Sequence, residues 1–196
     1  NMFTGIIEEV GVIRKILTNL DGLEIEIDAS LVLSDLKVND SISCSGICLT
    51  VTMLEKKSFK VQLVQETLKK TNAKNWVPGY SINLERALLP TSRMGGHIVQ
   101  GHIDTVVKIK DMTFDDKSAV WRFELKKDIK RYLVKKGSIC LDGISLTIAD
   151  KTETDFSVAL IPHTLEVTSW SNKKINDTIN VEVDILGKYL ESLTGV

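Results

Sequence analysis

The stretch GGHIVQGHID, residues 95–104, contains two of the three histidines of this 196-residue chain, His97 and His102. Histidine titrates near neutral pH, so either side chain suits proton transfer to or from a substrate. A metal site is not predicted, because the pair lacks the i, i+4 spacing of a helical zinc site and no nearby cysteine or glutamate completes a ligand set. The two histidines are either catalytic residues or polar residues at a glycine-rich bend, and their types and spacing leave both alternatives open.

The three cysteines, Cys44, Cys48 and Cys140, could supply a nucleophile or simply fill core space. A cysteine between apolar residues on a strand is usually a small buried hydrophobe. Cys44 and Cys48 have no matching second pair, which argues against structural zinc. An odd, small number of cysteines is typical of a reducing compartment and predicts a cytoplasmic protein.

These residues belong to a chain that repeats itself once. SISCSGICLTV (41–51) resembles SICLDGISLTI (138–148), 97 positions later. The beginnings of the two halves also match, since FTGIIE (3–8) aligns with VQGHID (99–104) at an offset of 96. The repeat predicts a duplicated domain, because two units are too few for a solenoid.

The repeat divides the chain into three segments. LLPTSRMGG, residues 88–96, has the Pro, Ser and Gly of a linker. We expect one domain at 1–94, a second at 95–184, and a tail at 185–196. The tail places Leu and Tyr at helical spacing, which predicts a short helix. Such a helix is marginal alone and needs a partner, either its own domain or copies of itself in an oligomer.

Each half has the pattern of several short strands. SFKVQLVQ (58–65) and its counterpart DFSVALIP (155–162) alternate apolar and polar residues, as half-buried strands do. Tight SG and DG turns precede two further strands. About six strands per half predict an all-β chain with a small barrel or sandwich in each half. Short helices are expected only at 31–38, at 127–135 and in the tail.

The two halves differ in their chemically versatile residues. Cys48 aligns with Ser145, and His102 aligns with Ile6. Positions that match keep the fold, whereas positions that differ can carry separate tasks. The difference predicts either one half that binds and one that reacts, or two ligand molecules held in different roles.

Composition excludes several classes of function. Apolar residues make up 43% and charged residues 26% of the chain, as in a soluble globular protein. The net charge of −1 favours neither nucleic acid nor an anionic membrane as a partner. No apolar run approaches the roughly 20 residues of a membrane span. The acidic start NMFTGIIEEVG is unlike a secretory signal, so secretion is not expected.

Taken together, the motifs MFTGIIEEVG, SGICLTVT, GGHIVQGHID, KGSICLDGISLTI and LIPHTL resemble the riboflavin synthase and lumazine protein family over essentially the whole chain. The resemblance implies tandem six-stranded Greek-key β-barrels and a C-terminal α-helix that gathers three chains. It also implies a transferase that needs no cofactor or metal. In the family, two molecules of 6,7-dimethyl-8-ribityllumazine dismutate, with transfer of a four-carbon unit between them, to give riboflavin and 5-amino-6-(D-ribitylamino)uracil. The resemblance further implies a homotrimer and association with a shell of lumazine synthase.

The motifs also carry over the residues of the site. His102, Cys48, Ser145 and His97 are expected to be catalytic. The lumazine bound to the first barrel is expected to contact Gly5, Ile6, Cys48, Leu49, Thr50, Gln62, Leu63, Val64, Gln65, Glu66 and Thr67. Thr4, Ile7 and Ser41 are further expected substrate contacts. The lumazine bound to the second barrel is expected to contact Gly101, His102, Ile103, Lys136, Asp142, Ser145, Leu146, Thr147, Ala159, Leu160, Ile161, Pro162, His163 and Thr164.

Three points stay open within the resemblance. Ser45 stands where the family usually has Asn, which removes one polar arm from the first barrel. His97 either shapes the domain junction or reaches the site of a neighbouring chain. The alternative function is a non-catalytic carrier of lumazine or flavin, although carriers of this family typically lack the histidine at position 102. A flavoprotein reductase is disfavoured, because the chain has no G-x-G-x-x-G motif and no room for a nucleotide-binding domain.

Overall fold

The computed structural model describes residues 1–195 and contains two closed antiparallel β-barrels of six strands each. Both barrels have the same Greek-key strand order, β1-β2-β5-β4-β3-β6 in the first and β7-β8-β11-β10-β9-β12 in the second. The first barrel comprises β1 (Glu9–Asn19), β2 (Gly22–Asp28), β3 (Ser41–Cys44), β4 (Ile47–Leu54), β5 (Ser58–Val64) and β6 (Ser81–Arg86). The second comprises β7 (Thr105–Phe114), β8 (Ala119–Glu124), β9 (Ser138–Leu141), β10 (Ile144–Lys151), β11 (Asp155–Leu160) and β12 (Thr178–Val183).

This architecture confirms the predicted all-β fold of tandem six-stranded barrels. The barrels lie within the expected segments 1–94 and 95–184, whose limits stay predictions. The alternating residues fill the barrel interiors, as period-two strands require. Phe59, Val61 and Leu63 on β5 are buried in the first core, and their counterparts on β11 are buried in the second.

Helices are short in the described part of the chain. They are α1 (Gln65–Lys70), α2 (Lys127–Lys130), α3 (Pro162–Val167) and α4 (Ile185–Thr194), the last of which confirms the tail helix. The helix expected at 31–38 is only a 3-10 turn at Val32–Ser34, and the helix expected at 127–135 ends at Lys130. Helices α1 and α3 were not predicted, because one turn of helix after a strand is too short to show a helical period.

A buried polar network joins the two barrels at their equivalent tight turns. The Asn83 side chain donates to the carbonyl of Asp142 at 3.0 Å, and the Asn180 side chain donates to the carbonyl of Ser45 at 3.0 Å. The backbone N–H of Asn180 donates to the Asp142 carboxylate, and that of Asn83 donates to the Ser45 hydroxyl. These reciprocal bonds relate the two barrels by an approximate twofold axis.

Helix α4 turns its polar side to its own barrel. Lys188 pairs with Asp104, and Tyr132 donates to Glu191. The apolar stripe faces outward, since Leu186, Tyr189, Leu190 and Leu193 are all at least 60% exposed. The stripe therefore does not dock on its own domain, which leaves docking on other copies of the chain as the open alternative. Within residues 1–195, no helix is long and apolar enough to cross a membrane.

Candidate functional site

Two short segments cross between the barrels and carry the glycines of the predicted site. The segments pair through a two-residue bridge, in which Phe3 and Val99 exchange N–H···O bonds of 2.7 and 3.1 Å. Phe3 and Val99 are equivalent in the repeat, so the bridge lies on the approximate twofold axis. From this point each segment runs to the barrel of the other half.

The N-terminal segment reaches the second barrel at Ser145. The N–H of Ser145 donates to the carbonyl of Gly5 at 2.7 Å. Gly5 has a φ of +80°, and a Cβ added there would lie 2.5 Å from the Cβ of Ser145. Only glycine allows this backbone conformation and this approach. Ile7 then packs against the second core.

Ser145 also meets the histidine whose role the sequence left open. Nδ1 of His97 lies 2.6 Å from Oγ of Ser145, and the N–H of His97 donates to the carbonyl of Thr4 at 3.1 Å. Burial lowers the pKa of His97 against a smaller raising effect of Asp184, so the imidazole is neutral near pH 7. When the ring carries its proton on Nε2, Nδ1 accepts the Ser145 hydroxyl. His97 therefore pairs with Ser145 of its own chain.

The second segment reaches the first barrel at Cys48 in the same manner. The N–H of Cys48 donates to the carbonyl of Gly101 at 3.0 Å. Gly101 has a φ of +81°, and an added Cβ would lie 2.4 Å from the Cβ of Cys48. Burial raises the pKa of the Cys48 thiol, with a smaller lowering effect of a hydrogen bond to Ser41. The thiol form therefore dominates at neutral pH. His102 follows Gly101 directly and is exposed beside this barrel.

This crossing corrects the predicted grouping of the site residues. Gly5 and Ile6 were expected at the first barrel, but their segment lies at Ser145 of the second. Gly101, His102 and Ile103 were expected at the second barrel, but Gly101 lies at Cys48 and Ile103 packs against the first core. The cause is the bridge on the twofold axis, which exchanges the two segments.

Strands β4 and β10 present their polar residues on the outer face of each barrel. Cys48 and Thr50 on β4 pair with Ser43 and Ser41 on β3, with Thr50 exposed and Cys48 half-buried. Ser145 and Thr147 occupy the equivalent positions of β10, where they pair with Cys140 and Ser138. Cys48 and Ser145 thus stand on strands, whereas His97 and His102 lie on the segment before β7.

Several predicted contact residues turn away from this outer face. Leu49, Leu63 and Leu160 fill the barrel cores, so their side chains cannot contact an outer ligand. Asp142 is buried between the barrels, where its two carboxylate oxygens accept the N–H of Asn180 and the indole N–H of Trp170. Asp142 is therefore a structural residue of the interface and lies outside the candidate site.

Most of the remaining predicted residues lie at the strand–helix junctions of the two barrels, and three lie elsewhere. Ser41 is buried on β3, Leu146 packs against the second core, and Lys136 is exposed in a turn with a φ of +69°. At the first barrel the junction of β5 and α1 consists of Gln62, Val64, Gln65, Glu66 and Thr67, all half-buried or exposed. At the second, the junction of β11 and α3 consists of Ala159, Ile161, Pro162, His163 and Thr164, also half-buried or exposed.

Two functional candidates were missed by the sequence reasoning, Glu85 on β6 and Glu182 on β12. Glu85 accepts the N–H groups of Thr4 and Gly5, and Glu182 accepts those of Gln100 and Gly101. The signal was present in the repeat, because INLE and INVE keep the glutamate in both halves. A charged residue kept at a buried strand position is rarely there without a partner.

A metal site finds no support in the geometry. Across residues 1–195, no group of three His, Cys, Asp or Glu side chains is close enough to hold an ion. The cysteines are free thiols, with Cys44 and Cys140 buried. The polar groups that the structure brings to the crossing segments and strands are the imidazoles of His97 and His102, the Ser145 hydroxyl and the Cys48 thiol.

Comparison with known proteins assigns the family. The Lumazine binding domain model matches residues 4–87 and again residues 100–184. The chain is 43% identical over 190 residues to riboflavin synthase of Actinobacillus pleuropneumoniae, covering 97% of this chain and 88% of that protein. It is 42% identical to riboflavin synthase of Bacillus subtilis, covering 96% and 88%. It is 40% identical to riboflavin synthase of Schizosaccharomyces pombe, covering 98% and 93%.

Solved structures share the fold at lower identity. LumP complexed with riboflavin superimposes with a TM-score of 0.86 at 21% identity, covering 93% of this chain and 99% of that chain. LumP complexed with 6,7-dimethyl-8-(1'-D-ribityl) lumazine gives a TM-score of 0.84 with the same coverage. Because the lumazine-binding domain occurs twice and riboflavin synthases match nearly end to end, the chain belongs to the riboflavin synthase family.

Proposed function

We propose that this chain catalyses the riboflavin synthase reaction. Two molecules of 6,7-dimethyl-8-ribityllumazine react, and one donates a four-carbon unit to the other. The acceptor becomes riboflavin, and the donor leaves as 5-amino-6-(D-ribitylamino)uracil. All atoms of the two substrates appear in the two products, so no external oxidant or reductant is required. The reaction needs one group that removes a proton from the acidic 7-methyl and one that activates the other ring.

The Ser145–His97 pair carries this proposal. A hydroxyl oxygen 2.6 Å from a neutral imidazole can pass its proton to that imidazole as the oxygen, or a water held by it, adds to a ring. The imidazolium formed can return the proton when the bond breaks. Ser145 stands on the outer face of β10, where a planar ligand can approach.

Cys48 and His102 support the second role at the first barrel. The exposed His102 imidazole can exchange protons with a bound lumazine and with solvent. The raised pKa keeps Cys48 as a thiol, which can donate a hydrogen bond or position water, rather than as a standing thiolate. The close approach of Gly101 to β4 holds the segment that carries His102 beside Cys48.

The substrate-binding residues follow the corrected grouping. We place one lumazine against β4 and the β5–α1 junction, with the 101–103 segment. We place the other against β10 and the β11–α3 junction, with the 4–7 segment. Exposed hydroxyls of Thr50 and Thr147 suit the ribityl chain at equivalent positions of the two sites.

An assay with the lumazine as sole substrate tests the function. The full chain should form riboflavin, detected by its absorbance, without added cofactor or metal. Absence of turnover at high protein concentration would overturn the proposal. Tight, stoichiometric ligand that survives purification unchanged would instead support a lumazine or flavin carrier.

The proposal includes a homotrimer assembled through α4. The outward apolar stripe of α4 supports it, since Leu193 is 83% exposed and Leu190 is 63% exposed in the single chain. A ten-residue helix is marginally stable alone, and burial of its apolar stripe against other chains would stabilise it. Deletion of residues 186–196 should lower the mass measured by light scattering from that of a trimer. A trimer that survives the deletion would contradict this part.

Two further parts concern location. A cytoplasmic location is supported by free cysteines at buried positions, which a reducing compartment preserves. Association with a lumazine synthase shell belongs to the same proposal. Co-elution of the two proteins at the size of the shell tests it, and separate elution would refute it.

A further inference from the structure

Glu85 is linked to the Ser145 site through two backbone groups. Its carboxylate accepts the N–H of Thr4 at 2.8 Å and the N–H of Gly5 at 2.8 Å. The carbonyls of the same two residues face the second barrel, since Thr4 accepts the His97 N–H and Gly5 accepts the Ser145 N–H. A carboxylate on the first barrel thus holds the Thr4–Gly5 peptide unit that accepts the His97 N–H, and this unit directly precedes the Gly5–Ile6 unit that accepts the Ser145 N–H.

Glu182 is linked to the Cys48 site in the equivalent way. Its carboxylate accepts the N–H of Gln100 at 2.7 Å and the N–H of Gly101 at 2.9 Å. The Gly101 carbonyl then accepts the Cys48 N–H, and His102 is the next residue. A carboxylate on the second barrel thus fixes the segment that presents His102 to the first barrel.

We propose that each glutamate positions the site on the opposite barrel, with Glu85 serving Ser145 and His97, and Glu182 serving Cys48 and His102. The inference rests on the proposed function and names two positioning residues for it. Both side chains are only 4% exposed and bond the backbone beside each site rather than the reacting groups themselves. They act through the crossed segments.

The demand for a carboxylate follows from the donors. Each site offers two backbone N–H groups to one side chain, and the two oxygens of a carboxylate accept both. A glutamine of the same length has one acceptor oxygen, so its NH2 group would face an N–H donor. The Glu→Gln change therefore releases one peptide unit of the segment while keeping side-chain volume. A shift of 1 Å in a reacting group can cost about a hundredfold in rate.

Kinetics of the full chain test the crossing. Glu182→Gln and Glu85→Gln are each expected to lower kcat by about tenfold or more, with a smaller change in KM. Glu182→Gln should add little to the loss caused by His102→Ala, because both act on one site. It should multiply with the loss caused by Ser145→Ala, which belongs to the other. Glu85→Gln should show the reverse pattern.

Amide hydrogen exchange gives a readout independent of turnover. Glu85→Gln should speed exchange at Ser145, whose N–H depends on the first segment, and leave Cys48 protected. Glu182→Gln should speed exchange at Cys48 and leave Ser145 protected. Glu9→Gln is the matched control. Glu9 also accepts several backbone N–H groups, but they belong to residues 30–32, which form no part of either site. It should change neither amide nor kcat.

The outcomes separate the two proposals. If the parent is inactive but the amide exchange shows the crossed pattern, the proposed function is overturned. The inference that each glutamate positions the site on the opposite barrel then still stands. The parent could instead be active, while each Glu→Gln variant couples kinetically to the site on its own barrel and loses amide protection there. That result would overturn the inference. Variants equal to the parent in both measurements would also overturn it. If a Glu→Gln variant fails to fold, Glu182→Asp and Glu85→Asp, which keep the charge, carry the same test.

Discussion

The two barrels share one scaffold but differ in the candidate reacting groups that it carries. Ser145 has a neutral imidazole at hydrogen-bond distance, whereas Cys48 has an exposed histidine one residue beyond its backbone partner. The glycine that approaches the strand is kept in both halves. Duplication has therefore preserved the parts that position a ligand and allowed the reacting groups to diverge, which suits a reaction between two identical molecules in different roles.

A second difference concerns the segments that follow β6 and β12. At the first barrel, a cleft of about 740 Å³ lies along the linker, and Leu88, Ser92 and Arg93 form part of its wall. The same positions of the second half, 97 residues later, fall in α4, which covers the second barrel. The segment after β6 thus borders an open cleft, whereas the equivalent segment after β12 forms a helix against its own barrel.

The glycines test whether the scaffold is truly equivalent in the two halves. Gly101→Ala and Gly5→Ala each force a Cβ within 2.5 Å of the opposite strand at a positive φ. Both should lower the free energy of unfolding by about 3 kcal/mol or more and abolish turnover. Urea unfolding and the lumazine assay measure this. The control is Gly79→Ala, also at positive φ but in open space, which should cost about 1 kcal/mol.

Unequal losses at Gly5 and Gly101 would break the comparison. They would mean that one barrel tolerates displacement of its segment, so the two sites would not share one scaffold. Equal losses would assign the functional difference to the side chains alone.

Substitution of the histidines tests the divergence of the reacting groups. His97→Ala should lower kcat by about 10²–10³-fold, in the range of a lost general base. Ser145→Ala in the same chain should add little more, because the two side chains form one unit. His102→Ala and Cys48→Ser should each lower kcat while leaving ligand binding largely intact. If both of these variants turn over like the parent, the first barrel has only a binding role.

Much of the scaffold could be predicted from the sequence, because its signals are local. Period-two alternation identified the strands, and the repeat required the second barrel to copy the first. The crossing could not be predicted. An offset of 96 or 97 aligns positions of one half with those of the other, but it does not say which barrel a segment contacts. The bridge between Phe3 and Val99 is a contact between residues 96 positions apart, and it decides the exchange.

The sequence supplied candidate residues for the site but not the way they pair in the fold. The motifs supplied Cys48, His102, Ser145 and His97, but the bond between His97 and Ser145 spans 48 positions of sequence and depends on the fold. The misassigned Asp142 has the same origin. The family motifs placed it among the ligand contacts, and only the packing of two barrels shows that its oxygens are already occupied.

The buried glutamates make stability depend on pH in both halves. Burial raises the pKa of Glu85 to about 7, with hydrogen bonds from Thr4 and Gly5 lowering it less and Glu8 raising it. Because the folded pKa exceeds the unfolded value near 4.5, the ionised carboxylate that accepts both N–H groups is held at a cost in unfolding free energy. The stabilisation from the protonated form is full below the unfolded pKa and is lost as pH rises through about 7.

Glu182 follows the same rule, with its pKa raised to about 7 by burial and by Asp104, against lowering by Gln100, Gly101 and Lys188. At 1.36 kcal/mol per pH unit, each group should remove up to roughly 3 kcal/mol of unfolding free energy between pH 4.5 and 7. Urea unfolding across this range measures the slope. Glu182→Gln and Glu85→Gln should each remove a similar share of it, and a slope unchanged in both would disprove the assignment.

The equivalent turns at Ser45 and Asp142 give the smallest and most selective test of the comparison. Ser45→Ala removes one hydroxyl that accepts the Asn83 N–H at 3.1 Å, and should lower the free energy of unfolding by about 1 kcal/mol. Asp142→Ala leaves the buried donors of Asn180 and Trp170 without acceptors, so it should cost more, about 2–3 kcal/mol.

Neither change should alter kcat in the folded fraction, because both residues lie between the barrels rather than at a site. Urea unfolding at constant pH and the lumazine assay on the same samples measure the two effects. A loss of turnover in Asp142→Ala larger than its loss of folded protein would place Asp142 back in the second site. Equal costs at the two turns would show that the interface, unlike the reacting groups, has kept the symmetry of the duplication.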